Sequence, residues 1–327
     1  MSFAISSQSY DQRDPNQNRD SYGVSQRLWD EALNHPAERF LSNCGKRVRA
    51  AIVNESYRVS GGHGDAPQQI SDAIELLHAG SLIVDDIEDD SAERRGQPTL
   101  HREIGIPLAL NTGNWMYFRS LEKLSEVTEN PVATHKILTQ VIRTVRRCHE
   151  GQALDLSAAV DLLDPSEIYP TAREISRLKT GGLTALSSWL GSIAAGACPV
   201  TQKALRRFGM NVGVCLQMYN DLNELRLFSE GERRYDDLRN ARVTWPFAWA
   251  SKKLTPSQMR ALQQRMRHSF GDANELLAIA QQLLSLVGKR GYALIEAKLE
   301  RELTLLGEHV DSTRSMRSAL SKLRQSR

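Results

Sequence analysis

Apolar residues recur at intervals of three and four along most of the chain, the pattern of helices that each bury one face. In residues 133–158, Ile137, Leu138, Val141, Ile142, Val145 and Cys148 fall on one such face. In residues 273–289, Leu276, Leu277, Ala280, Leu283, Leu284 and Val287 repeat the arrangement. Another apolar helix, 73–84, carries its period straight into a run of charges. Breaks fall at SGGHGDAP (60–67), ENP (129–131), LDPS (163–166), SEGERRYDD (229–237) and GKRG (288–291). All are turn-sized or modest, and none resembles an interdomain linker. No strand-like alternation of useful length and no repeat of fixed period interrupts the helical pattern. Residues 1–22 hold too few apolar side chains to offset the entropy of ordering, which predicts a flexible polar tail. The pattern therefore predicts an all-α, large single domain over 23–327.

Composition narrows the function by exclusion. The 327 residues carry 42 Lys+Arg against 39 Asp+Glu, a formal charge of +3, so no global basic field points to nucleic acid. Aromatic residues make up only 6%, thin for a β-sandwich or a base-stacking surface. The mean hydropathy of −0.43 and the lack of any apolar run of about 18 residues argue against a membrane-spanning helix. The first twenty residues show neither the order of a signal peptide nor the bias of a transit peptide. Cys44, Cys148, Cys198 and Cys215 are scattered with no CxxC pair, which reads as reduced thiols in a cytoplasmic protein.

The near-neutral total hides a local extreme. Residues 85–95, DDIEDDSAERR, hold six acids and two arginines in eleven positions, at the end of the apolar helix. Asp85 and Asp89 stand at i and i+4, about 40° apart around a helix axis, with Asp86 beside them. Carboxylates at this density repel unless cations neutralise them, and a hard divalent ion that also takes phosphate oxygens is the natural partner. Basic residues suited to phosphate are present too. Lys46 and Arg49 in GKRVR share a helix face, and Arg94-Arg95-Gly96 follows the acidic run. A second, weaker cluster, Asn220-Asp221-Leu222-Asn223-Glu224, again sets two oxygen ligands, Asn220 and Glu224, at i and i+4. Alone it reads as an ordinary amphipathic turn; opposite the first cluster in a helical bundle it becomes the second half of a cation cage.

Six stretches in order resemble the trans-isoprenyl diphosphate synthases, the polyprenyl synthetase family. They are GKRVR (45–49), HAGSLIVDDIEDDSAERRGQPTLH (78–101), HEGQALD (149–155), KTGG (179–182), QMYNDLNEL (217–225) and DLRNARVTWP (237–246). The stretch around the first acidic run looks most like the geranylgeranyl diphosphate synthases of the animal and fungal type. The resemblance implies an isoprenoid synthase fold, helices around a deep central cavity, and a homodimer. It implies a prenyltransferase that condenses allylic diphosphates with isopentenyl diphosphate on Mg²⁺, up to three ions.

Residue by residue, the resemblance assigns Asp85, Asp86 and Asp89 to Mg²⁺ bridged to the allylic diphosphate, with Asn220, Asp221 and Glu224 as the second metal motif. Lys46, Arg49, His78 and Arg95 match residues that hold isopentenyl diphosphate. Arg94, Lys179 and Gln217 match contacts to the allylic substrate, Arg242 stands at a diphosphate-binding position, and Thr180 matches a residue beside the developing cation. Gly80, five residues before Asp85, and Ser81 leave no aromatic floor at that level, and Tyr117, Phe118 and His149 align with deeper floor residues; the expected product is C20. Two departures stand out. Asn220 replaces the usual aspartate, and Ala241-Arg242 replaces the usual Gly-Lys. They keep three alternatives in view: irregular, non-head-to-tail coupling, a class I terpene cyclase on the same fold, and a non-catalytic regulatory subunit.

Overall fold

The computed structural model describes residues 23–43, 45, 47–229, 236–269 and 272–325. The polar segment 1–22 and Lys46 lie outside the described residues. In chain order the helices are α1 (Gln26–Trp29), α2 (His35–Ser42), α3 (Val48–Val59), α4 (Gln68–Glu88), α5 (Leu100–Ile104), α6 (Ile106–Ser125), α7 (Pro131–Ser157) and α8 (Pro165–Ser176). They continue with α9 (Gly182–Ala194), α10 (Pro199–Ser229), α11 (Asp236–Arg239), α12 (Trp245–Lys253), α13 (Pro256–His268), α14 (Ala273–Gly307) and α15 (Arg314–Gln325). Asp30–Asn34 and Arg177–Gly181 are π-helical turns. Among the described residues the strands are β1 (Glu93–Arg94) and β2 (Gln97–Pro98), one antiparallel hairpin. The all-α expectation holds.

The chain packs as two compact units. The smaller takes residues up to Arg47 together with Glu75–Glu122; the larger takes Val48–Ile74 and Lys123 onward. The core of the smaller unit joins Ala37 of α2 with Leu76, Ala79 and Ile83 of α4, Leu100 of α5, and Ala109 and Met116 of α6. In the larger unit, α10 packs against α9 and α14. Its core includes Phe208, Val212 and Leu222 of α10, Trp245 and Phe247 of α12, and Ile279 and Leu283 of α14.

Most breaks fall where the turn residues stand. The loop 60–67 separates α3 from α4, Asn130 caps α7 through the Val132 and Ala133 amides, and Asp164 forms a capping box at α8. GKRG (288–291) does not break the chain: α14 runs through it. Gly291 lies against the Trp249 ring, where an added Cβ would stand 2.6 Å from Cζ3, so this glycine permits close packing within a continuous helix.

Gly80 does similar work in the smaller unit. An added Cβ there would meet the Gly113 carbonyl at 2.7 Å and Met116 Cβ at 3.3 Å, because α4 and α6 approach closely at this level. The neighbour is backbone and cannot swing aside. Gly80→Ala is therefore expected to lower unfolding stability by about 1–3 kcal/mol, read from denaturant melts. An unchanged midpoint would show that α4 and α6 separate without cost.

Candidate active site

In the smaller unit α4 delivers the first acidic run. The Asp89 amide still donates to the Asp85 carbonyl at 2.9 Å, so helical geometry extends past Glu88 and keeps both carboxylates on one face. Asp86, one residue on, turns inward and is 1% exposed. Its partner is Arg94: Nε donates to both carboxylate oxygens at 2.8 Å, and Nη2 lies 2.6 Å from Oδ1. Burial pushes the Asp86 carboxyl above its ordinary range, with the Arg94 hydrogen bonds pulling against it. Burial also works against the Arg94 charge, yet the Asp86 hydrogen bond and the charges of Asp86, Asp85 and Asp89 hold the guanidinium more firmly protonated than usual.

A tight turn brings Arg94 back to α4. Arg95 (φ 54°) and Gly96 (φ 79°) both have positive φ between the paired strands, the requirement of a type I′ hairpin. The Ser91 amide donates to the Asp86 carbonyl at 2.9 Å, and the Thr99 hydroxyl to the Ser91 carbonyl at 2.7 Å, fixing the hairpin's base. Arg95 Nη1 donates to the Asn43 carbonyl at 2.8 Å, and its guanidinium lies over Gly45. His78 is half-buried on α4, while Lys46 lies outside the described residues. Gly80 is committed to the α4–α6 contact, with Tyr117 at its edge and Ser81 half-buried. Phe118, expected as a floor residue, is 71% exposed.

The larger unit holds the other expected residues. Arg49 sits half-buried at the start of α3, and His149 is exposed on α7. The π-helical turn Arg177–Gly181 carries Lys179 and Thr180; such turns recur at functional sites. The Thr180 hydroxyl donates to Gln217 Oε1 at 2.6 Å, Gln217 Nε2 to Asp221 Oδ1 at 2.8 Å, and the Trp245 amide to Asp221 Oδ2 at 2.9 Å. Asp221, expected as a metal ligand, is thus 3% exposed with both oxygens accepting hydrogen bonds. Asn220 is half-buried and Glu224 exposed on the same helix. Arg242 Nη1 donates to the Asp155 carbonyl at 2.8 Å, and Ala241 before it has φ 50°, a conformation that suits the glycine usual there better than alanine.

Two participants escaped assignment from sequence. Asp155 lies within the quoted HEGQALD stretch and binds Lys179 Nζ at 2.6 Å. Trp245 enters through its backbone amide, which no side-chain motif reports, and its indole Nε1 donates to Ser176 Oγ at 2.8 Å. Among the described residues no three carboxylate, imidazole or thiol groups gather to hold a metal ion by themselves. Two carboxylates suit Mg²⁺ nonetheless, because that ion completes its shell with water and substrate phosphate. Asp85 and Asp89 fit this requirement; Asp86 and Asp221 are occupied as anchors.

Burial pushes the Asp221 carboxyl up to about 6, Asp155 adds to the rise, and the Trp245 amide, Gln217 and Lys179 oppose it. The folded chain therefore binds this proton more tightly than the unfolded one. The resulting stabilisation is complete below the unfolded carboxylate range near 4 and is lost as pH rises through about 6. Thermal melts from pH 4 to pH 8 should show a steeper loss of stability for the natural chain than for Asp221→Asn. Parallel profiles would show that Asp221 titrates alike in both states.

The polyprenyl synthetase family model matches residues 30–283, a span that runs through both units. Component 2 of heptaprenyl diphosphate synthase from Geobacillus stearothermophilus is 31% identical over 277 residues, 84% of this chain and 83% of that protein. The short chain isoprenyl diphosphate synthase of Methanocaldococcus jannaschii is 30% identical over 199 residues, 60% of this chain and 58% of that protein. These relatives are bacterial and archaeal, so they lend nothing to the animal and fungal subtype. The fold matches a Caulobacter crescentus polyprenyl synthase crystallised with calcium and isoprenyl diphosphate, at 22% identity and a TM-score of 0.71 over 90% of this chain and 94% of that one. Among the described residues no helix is long and apolar enough to cross a membrane. With the ordered motifs, the helical fold and the length of the match in agreement, the chain belongs to the polyprenyl synthetase family and is an isoprenyl diphosphate synthase, a prenyltransferase.

Proposed function

We propose that the chain is a Mg²⁺-dependent geranylgeranyl diphosphate synthase that extends allylic diphosphates with isopentenyl diphosphate to C20. The observation that carries the reading is the pair Asp85 and Asp89 on one face at the end of α4, beside an Arg94 guanidinium fixed on Asp86. The pair would hold Mg²⁺, which when bound neutralises diphosphate charge as a Lewis acid. In the larger unit the second motif offers Asn220 and Glu224 as oxygen ligands of its own, with Asp221 holding Gln217 and the start of α12 in place.

The protein's own groups then act on charge. Ionisation breaks the allylic C–O bond and sends its electron pair to diphosphate; Arg94 in the smaller unit, and Lys179 and Arg242 in the larger, are the cations suited to that charge. The Thr180 hydroxyl donates to Gln217 Oε1, so its own oxygen keeps lone pairs that would suit an allylic cation. The isopentenyl double bond attacks that cation, and the released diphosphate takes the proton. Lys46, Arg49, His78 and Arg95 would hold the isopentenyl diphosphate. The absence of an aromatic side chain at Ser81 supports C20, whereas Gly80, packed on α6 beside Tyr117, adds nothing to the length. Exposed Ile106, Leu110 and Phe118 on α6 support the homodimer.

Asn220 favours one competing reading, coupling of two allylic diphosphates. The deciding experiment incubates purified protein with Mg²⁺ and C5, C10 or C15 allylic diphosphates, with and without isopentenyl diphosphate, followed by mass spectrometry. C20 product that requires isopentenyl diphosphate is expected; product formed without it would sink the elongation reading, and termination at C10 or C15 would sink the length. In the same assay Asn220→Asp is expected to lower the Mg²⁺ concentration for half-maximal rate, since it restores a charged ligand. An unchanged titration removes position 220 from the metal site.

A further inference from the structure

Four residues of α7, Thr144, Cys148, Gly151 and Asp155, stand at i, i+4, i+7 and i+11, one helix face. All four bear on the neighbourhood of Lys179. Cys148 Sγ donates to the Lys179 carbonyl at 3.6 Å, and an added Cβ at Gly182 would lie 3.4 Å from that sulfur and 3.8 Å from Thr144 Cγ2. Gly151 is buried where an added Cβ would come 3.1 Å from the Lys179 amide and 3.2 Å from its Cγ. The missing side chain lets the π-helical turn lie directly on α7, and one turn further the Lys179 ammonium reaches Asp155 Oδ2 at 2.6 Å.

The same residue receives a second cation. Arg242 Nη1 donates to the Asp155 carbonyl, and Val160 five residues on donates its amide to the Ala241 carbonyl at 2.7 Å, in an antiparallel bridge of Ala159 with Arg242. The last turn of α7 thus gathers a lysine and an arginine from two distant stretches. The two are held differently: the Asp155 carboxylate takes the Lys179 ammonium, and its backbone carbonyl takes Arg242. The carboxylate limits the rotamers of a long, flexible lysine before any ligand arrives.

We infer that the Asp155 carboxylate is a positioning group that sets Lys179 for the diphosphate, in the same turn whose backbone carbonyl takes Arg242. The inference rests on the reading of Lys179 as a donor to the allylic diphosphate. It does not require Asp155 to touch substrate. Its signature is energetic coupling: the carboxylate matters to catalysis only through the lysine it orients.

The test is a double-mutant cycle on the full chain with Asp155→Asn, Lys179→Gln and the pair, measuring the KM of each substrate with the other saturating. Asp155→Asn is expected to raise the allylic diphosphate KM about tenfold, the scale of one hydrogen bond to a charged group, and to leave the isopentenyl diphosphate KM within about twofold. In the Lys179→Gln background the same change should have less than about a twofold effect. Equal rises in both KM values, or effects that multiply in the pair, overturn the inference. Should Asp155→Asn not fold, Asp155→Glu carries the same comparison: a rise of a few fold confined to the allylic substrate and lost in the Lys179→Gln background. A Lys179→Gln variant with unchanged allylic KM would instead overturn the underlying reading of Lys179, a result separable from failure of the Asp155 arm.

Discussion

A carboxylate taken out of water is tolerated only where donors meet its oxygens, and this constraint organises both acidic motifs. In Asp85-Asp86-Ile87-Glu88-Asp89 the second residue turns inward and meets the Arg94 guanidinium. In Asn220-Asp221-Leu222-Asn223-Glu224 the second residue again turns inward and meets the Trp245 amide and Gln217. The first and fifth residues of each motif are less buried than the second. A helix produces this division without further help, since neighbours in sequence stand about 100° apart around the axis and residues four apart about 40°. Each motif therefore separates into a buried anchor and an outer pair of ligand-type side chains.

The anchors do more than neutralise themselves. Asp86 holds Arg94, and with it a hairpin whose turn requires positive φ at Arg95 and Gly96. Asp221 orients Gln217, whose carbonyl accepts the Thr180 hydroxyl, and it satisfies the first amide of α12. Loss of either carboxylate would leave donors without acceptors, a larger penalty than the loss of one surface ion pair. Asp155 follows the same logic with less burial, its carboxylate meeting the Lys179 ammonium.

Much of this was legible in the sequence, and the failures have physical causes. Residues three and four apart report helix faces, so α7 and the start of α14 read correctly, as did the shared face of Asp85 and Asp89. The inward turn of Asp86 was not legible, because it depends on an arginine eight residues on, returned by a turn that no helical period encodes. GKRG read as a break because glycine weakens an isolated helix; only the Trp249 ring, far away in sequence, reveals why Gly291 sits inside one. Gly80 read as an open floor, yet its space is filled by the backbone of α6. Asp155 carried a signal that went unused: its place on the face of Thr144, Cys148 and Gly151. In each case spacing along one helix was readable and contact between segments was not.

The anchor-and-ligand division also explains where this chain can depart from its family. Asn220 occupies an outer position, so the lost charge changes what the second motif offers a cation and leaves the Asp221 hydrogen bonds intact. The same replacement one residue later would set an amide N–H₂ against donors from Gln217 and Trp245, and only a flip of the Gln217 amide could relieve the conflict with that side chain. Ala241-Arg242 divides similarly. The strain falls on Ala241, at positive φ, whereas Arg242 still reaches the Asp155 carbonyl. Both departures alter charge or strain at the periphery of a hydrogen-bonded anchor and spare the anchor itself. A change in reaction outcome would then come from the outer residues with the fold unaltered.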